Sequence, residues 1–108
     1  MMNNMDETKI MVGWTTVRSK EDALELIEKL VQLDLIACGQ INGPLESFYK
    51  WDGETTKDIE WRITMKYAKR KEANLFEKIK DLHPYDVPQW VSLVANTSEE
   101  YGDWVNRV

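Results

Sequence analysis

The chain has 108 residues, 43% apolar and 31% charged, with a net charge of −5. That is enough for one domain with a real core and too little for two. The acidic balance argues against nucleic-acid binding, which needs a basic surface to neutralise phosphates, and the single cysteine excludes an intrachain disulfide.

A lone cysteine makes a reducing, cytoplasmic compartment the expectation. No apolar run is long enough to span a membrane. Met1 to Glu7 is polar and acidic, without the basic start and apolar centre of a signal peptide. Residues 1–8 therefore read as a disordered tail and residues 9–108 as a single domain.

Lys9 to Val17 reads as the first strand. Ile10, Val12 and Trp14 alternate with Met11, Gly13 and Thr15, so both faces are mostly apolar, as in a central strand. Gly13 has room for a close backbone neighbour. Ser19-Lys20-Glu21-Asp22 resembles a capping box and opens a helix running to about Leu33. Its apolar face is Ala23, Ile27, Leu30 and Val31, widened by Leu24 and Leu26.

A second strand runs from Leu35 to Cys38 and on through Ile41. After a break at Gly43-Pro44 it continues from Leu45 to Trp51. Leu45, Ser47, Tyr49 and Trp51 share one face by period two. Asp52-Gly53-Glu54 is a hairpin signal, and the returning strand is Ile59 to Tyr67. Ile59, Trp61, Ile63, Met65 and Tyr67 point one way, Glu60, Arg62, Thr64 and Lys66 the other. The hairpin carries Tyr49, Trp51 and Trp61, more apolar surface than one small chain readily hides, which points to a subunit contact.

The second helix spans Glu72 to Leu82, with Leu75, Phe76, Ile79 and Leu82 at helical spacing. His83-Pro84-Tyr85-Asp86-Val87-Pro88 cannot be helical, because each proline pushes the residue before it out of the helical region. It reads as a rigid elbow leading into a strand over Gln89 to Ala95. Thr97-Ser98-Glu99-Glu100 then opens a short helix with Tyr101, Trp104, Val105 and Val108 on one side.

The order is βαββαβ plus a short C-terminal helix: an α+β, ferredoxin-like antiparallel sheet with both main helices on one face. The other face needs a cover. With Met11, Tyr49 and Trp51 on the uncovered side, another subunit is the expected lid.

Ile36-Ala37-Cys38, Tyr49-Lys50-Trp51-Asp52-Gly53, Leu82-His83-Pro84-Tyr85-Asp86-Val87-Pro88 and the pair Tyr101 and Trp104 follow one another in order. Together, from about Lys9 to Val108, they resemble the CutA divalent-cation tolerance family. The resemblance implies a ferredoxin-like homotrimer, binding of divalent metal and notably copper, and structural kinship with PII signalling proteins. Two stretches depart from the family pattern: Ala37-Cys38-Gly39-Gln40-Ile41, and Lys66-Tyr67-Ala68 where the family has Lys-Thr-Thr.

His83 either ligates a metal through its imidazole or closes a helix end by hydrogen bonding. Cys38 either supplies a soft thiolate or is a small buried hydrophobe. A closed tetrahedral site wants about four ligands, so Cys38 and His83 would need Asp86, Glu60 or residues of another subunit. Tyr49, Trp51, Trp61 and Tyr85, with Lys66, line either a ligand cleft between subunits or an interface core. No signature of a hydrolase nucleophile, zinc protease, P-loop or dinucleotide site is present, and no enzyme and no obligatory cofactor are expected. Two readings follow. One is a trimeric binder of divalent copper involved in metal tolerance. The other is a regulatory trimer that docks a protein or a small anionic ligand, its metal binding incidental.

Overall fold

Ser19 separates the first strand, β1 (Lys9–Val17), from the first helix, α1 (Lys20–Gln32). Its backbone is extended, and its hydroxyl accepts the Asp22 N–H at 3.0 Å, satisfying one of the orphan donors of the helix start. The other end closes as a Schellman motif. Asp34 takes the left-handed conformation (φ 59°), its N–H bonds Val31 O, and the Leu35 N–H bonds Leu30 O. The Lys71 ammonium donates to the Asp34 carbonyl and fastens this corner to the second helix.

The computed structural model describes residues 8–108. Residues 1–7 of the expected tail lie outside the described residues, whereas the Thr8 carbonyl accepts the Thr97 N–H. Next come β2 (Cys38–Trp51), β3 (Glu54–Tyr67), a 3₁₀ turn over Lys69–Lys71, α2 (Glu72–Leu82), β4 (Val91–Asn96) and α3 (Glu99–Arg107). The sheet order is β2-β3-β1-β4 with every neighbouring pair antiparallel. This is the ferredoxin-like βαββαβ arrangement expected from the order of elements.

The core lies between the sheet and α1 and α2. Met11, Val17, Ile63, Met65 and Tyr67 meet Ala23, Leu26, Leu30, Leu75 and Ile79, all buried. Met11 is only 3% exposed. Its expected place on the uncovered face is therefore wrong, because the register pairs it with core-facing Tyr67. On α1 the buried stripe is Ala23, Leu26 and Leu30, while Leu24 and Val31 remain partly in water. Gly13 accommodates an indole rather than a backbone: a Cβ there would clash with the Trp90 ring. Trp90 and Ser92 donate to one oxygen of Glu72 at 3.3 Å, and the Tyr67 hydroxyl donates to the other at 2.5 Å. The start of α2 is thereby tied to β3 and β4.

Other boundaries move for local reasons. β2 begins at Cys38 because Leu35 is still closing α1. β4 begins at Val91, after Trp90 has turned in over Gly13. Ser98, not Thr97, caps α3, accepting the Tyr101 N–H at 3.3 Å.

β3 begins at Glu54, five positions before the expected start. β1 pairs with β3 only as far as Val17↔Trp61, so Leu45–Trp51 and Glu54–Glu60 run on as a ribbon with no third strand. The strands slip register between Asn42 and Leu45. Asp52 (φ 51°) and Gly53 (φ 77°) make the tip, the positive pair that a tight hairpin requires. This arm makes the molecule 50 Å long and 24 by 22 Å across. On the side of β3 that faces the helices, the alternation buries side chains only from Trp61 inward. Ile59, beyond the helix layer, is 49% exposed.

On the sheet face away from α1 and α2, α3 lies against β1 and β3. There the Lys66 ammonium stands 5.8 Å from the Tyr101 ring centre. Val91 and Leu93, cross-strand partners of Trp14 and Val12, remain exposed on the rest of that face.

Candidate functional site

Where the arm leaves the sheet, four segments converge. β3 supplies Asp58 and Glu60, two apart and so on one face. The end of β1 supplies Thr16 and Arg18, and the elbow between α2 and β4 supplies Pro84, Tyr85, Asp86 and Val87. With Phe48, Tyr49 and Trp51 from β2 they enclose a cleft of about 790 Å³.

Two tyrosine–carboxylate pairs organise it. The Tyr85 hydroxyl donates to Glu60 Oε2 at 2.8 Å, and the Tyr49 hydroxyl donates to Asp58 Oδ2. The Arg18 guanidinium lies over the Tyr85 ring, 5.0 Å from its centre. Burial first, and then the bond to Glu60, push the Tyr85 hydroxyl far above its ordinary value. The bond to Asp58 raises Tyr49. Both phenols are protonated donors at neutral pH.

His83 holds the elbow. It is 7% exposed and caps α2, its N–H bonding Ile79 O at 2.8 Å. Its Nδ1 accepts the Tyr85 N–H at 3.1 Å, so the ring proton sits on Nε2. Nε2 lies 3.0 Å from the Thr16 carbonyl, to which it donates, and 3.0 Å from Thr15 Oγ1. Burial lowers the imidazole below its ordinary value, against the opposing effects of Thr16 O, Asp22 and Glu60. Both nitrogens are thus engaged, and a metal would have to displace one of these partners.

Cys38 is half-buried at the start of β2, opposite Lys66. It faces α3, and after burial it is the Cys38 thiol that raises the Tyr101 hydroxyl. His83 bonds Thr15 on the core side of the sheet, whereas Cys38 stands on the other side, so the two do not share a site within one chain. No group of three or more His, Cys, Asp or Glu side chains converges among the described residues. One chain alone does not build a closed copper centre.

Of the five residues expected in a ligand cleft, Tyr49, Trp51 and Tyr85 line this one. Trp61 and Lys66 do not. Trp61 alternates with Glu60 and so turns to the core side, where it covers Gly43 and meets Lys20. Lys66 shares a face with Glu60 but is six positions along the strand, about 20 Å away. It bonds Gln40 Oε1 at 3.1 Å. Arg18, Asp58 and Phe48 were not singled out from sequence. The available signal for Asp58 was its spacing of two from Glu60.

The sheet order, the two helices on one face and the cleft at the root of a long hairpin define a ferredoxin-like domain with an extended arm. Residues 11–108 match the family model described as CutA1 divalent ion tolerance protein. The chain belongs to that family. It is 38% identical over 99 residues to the divalent-cation tolerance protein CutA of Thermotoga maritima, covering 91% of this chain and 97% of that protein. Among solved structures, the divalent cation tolerance protein of Thermus thermophilus superposes with a TM-score of 0.86 at 37% identity, covering 92% and 96% of the two chains. CutA from Archaeoglobus fulgidus, described as periplasmic, gives 0.83 at 26% identity over 90% and 94%.

Proposed function

We propose that this chain works as a homotrimer that binds divalent cations, copper among them, where its copies meet, and so contributes to metal tolerance. The observation that carries the reading is the arm. A two-stranded ribbon is marginal by itself, and this one exposes Phe48 (66%), Trp51 (59%) and Ile59. Together with Val91 and Leu93 on the uncovered sheet face, that surface is suited to burial between copies. The compartment proposed is the cytoplasm, where the Cys38 thiol stays reduced. No catalytic step is proposed, since both cleft tyrosines are held protonated and no activated nucleophile accompanies them.

Metal is proposed to bind between copies. Cys38 stands half-buried beside α3, on the sheet face away from the two main helices, and is the soft donor that an assembly can complete, while His83 is committed to holding the elbow. Copper(II) titrated into the purified protein, with mass followed by light scattering, tests this. Saturable binding is expected, lost in Cys38→Ser and kept in His83→Gln. Absence of saturable binding, or loss in His83→Gln alone, contradicts it. The cleft's three carboxylates against one arginine disfavour the anionic-ligand alternative.

A further inference from the structure

We propose that His83 is a proton-operated latch: when its imidazole takes up a second ring proton, Tyr85 lets go of the ring and of Glu60, and the elbow is unfastened from the root of the arm. The latch lies within one chain and needs no open surface, because what it takes up is a proton on a buried ring. Where the arm serves assembly, as proposed above, the latch makes the arm's footing depend on pH.

The two ring nitrogens are unequal. Nε2 lies 3.0 Å from the Thr16 carbonyl and 3.0 Å from Thr15 Oγ1. Both are oxygens that can accept, so a proton on Nε2 suits this side whether the ring is neutral or charged. Nδ1 instead accepts the Tyr85 N–H at 3.1 Å. A proton added to Nδ1 sets two donors against each other across that distance, and one of them must leave. The ring is held by β1 and by its place at the end of α2, where the His83 N–H bonds Ile79 O. Tyr85 lies outside helix and strand, between Pro84 and Asp86. Its backbone is the part that gives way.

That backbone carries the phenol with it. The Tyr85 ring meets the imidazole edge-on, with 4.9 Å between centres, and its hydroxyl donates to Glu60 Oε2 at 2.8 Å. Glu60 is the first residue of β3 beyond its last pair with β1, Val17↔Trp61. Withdrawing the phenol therefore frees the arm at the point where it leaves the sheet.

The surroundings allow both states. Burial keeps the imidazole neutral at neutral pH, so the latch is then shut. Among the described residues, Asp22 from α1 and Glu60 from β3 act on the ring with negative charge, and the Thr16 carbonyl from β1 acts in the same direction. All three favour the added proton. The facing group of the elbow is Tyr85 itself, and Arg18, at the end of β1, lies over the Tyr85 ring. The shut state has the Tyr85 bonds; the open state has an imidazolium near the Glu60 carboxylate. A histidine poised between two such arrangements switches as pH falls below about 6.5.

His83 is the only histidine, so its ring signals are unambiguous in NMR spectra of the labelled intact protein. At pH 7.5 the ring should carry its proton on Nε2. Between pH 7.5 and 5 it should titrate with a midpoint below 6.5. With that same midpoint the Tyr85 amide should lose at least tenfold of its protection against hydrogen exchange, and the Tyr85 ring signals should shift. His83→Gln should show no such transition. A Tyr85 amide that stays protected while His83 titrates, a His83 that stays neutral until the chain unfolds, or the same Tyr85 transition in His83→Gln overturns the latch. If His83→Gln does not fold, the titration of the parent decides alone. Sedimentation of the same samples keeps the two readings apart. A trimer whose Tyr85 ignores His83 overturns only the latch, and a single-chain species whose Tyr85 follows His83 overturns only the assembly.

Discussion

Tyr85 and Glu60 are 25 positions apart, yet the Tyr85 hydroxyl donates to Glu60 Oε2 at 2.8 Å. This bond joins the elbow to the root of the arm. Glu60 is only 9% exposed, so its carboxylate depends on the donor it is given. Tyr85→Phe should therefore destabilise the fold by about 1–3 kcal/mol, the cost of leaving a buried acceptor short of a partner. Urea unfolding of the two proteins measures it, and an unchanged midpoint would show that water replaces the phenol at no cost.

The acid limb of stability should carry the signature of His83. Its folded-state value is lowered, by burial first. Between that value and about 6.5 the unfolded chain binds a proton that the folded chain does not. Stability is therefore present above about pH 6.5 and declines as pH falls through this window. Protonating Nδ1 would also set a donor against the Tyr85 N–H. Thermal midpoints between pH 7.5 and pH 5 should fall in the parent and fall less in His83→Gln. Parallel profiles would contradict the assigned role.

Gly13 faces the Trp90 ring with no room for a methyl group. Gly13→Ala must shift an indole held by Glu72 and stacked between Tyr67 and Phe76. A loss of about 1–3 kcal/mol is expected, as for overpacking elsewhere. Unfolding followed by tryptophan fluorescence reads it, and a gain in stability would mean that the indole moves freely.

Local rules located most of the fold. The cap at Ser19 places the first helix start, the Thr97–Glu100 pattern places the last to within one residue, the prolines place the elbow, and Asp52-Gly53 places the hairpin. Period-two alternation placed Ile63, Met65 and Tyr67 in the core, because β1 and the helices cover that stretch. It failed at Ile59, where the cover stops. The site was legible only in part. Tyr49, Trp51 and Tyr85 are conspicuous aromatics, but their partners are set by the register of distant strands. The role of His83 rests on Thr15 and Thr16, 68 and 67 positions away. Neither spacing nor composition encodes such a contact. A lone histidine next to a proline therefore leaves ligand and structural roles open until the chain is folded.

Assembly through the arm is best tested by sedimentation of the parent protein and Trp51→Asp at micromolar concentration, with circular dichroism as a check on folding. The parent should run as one species at three times the 12.7 kDa chain mass. The variant should dissociate with its helix content intact. A folded parent sedimenting at the mass of a single chain, with Trp51 left in water, would contradict the account.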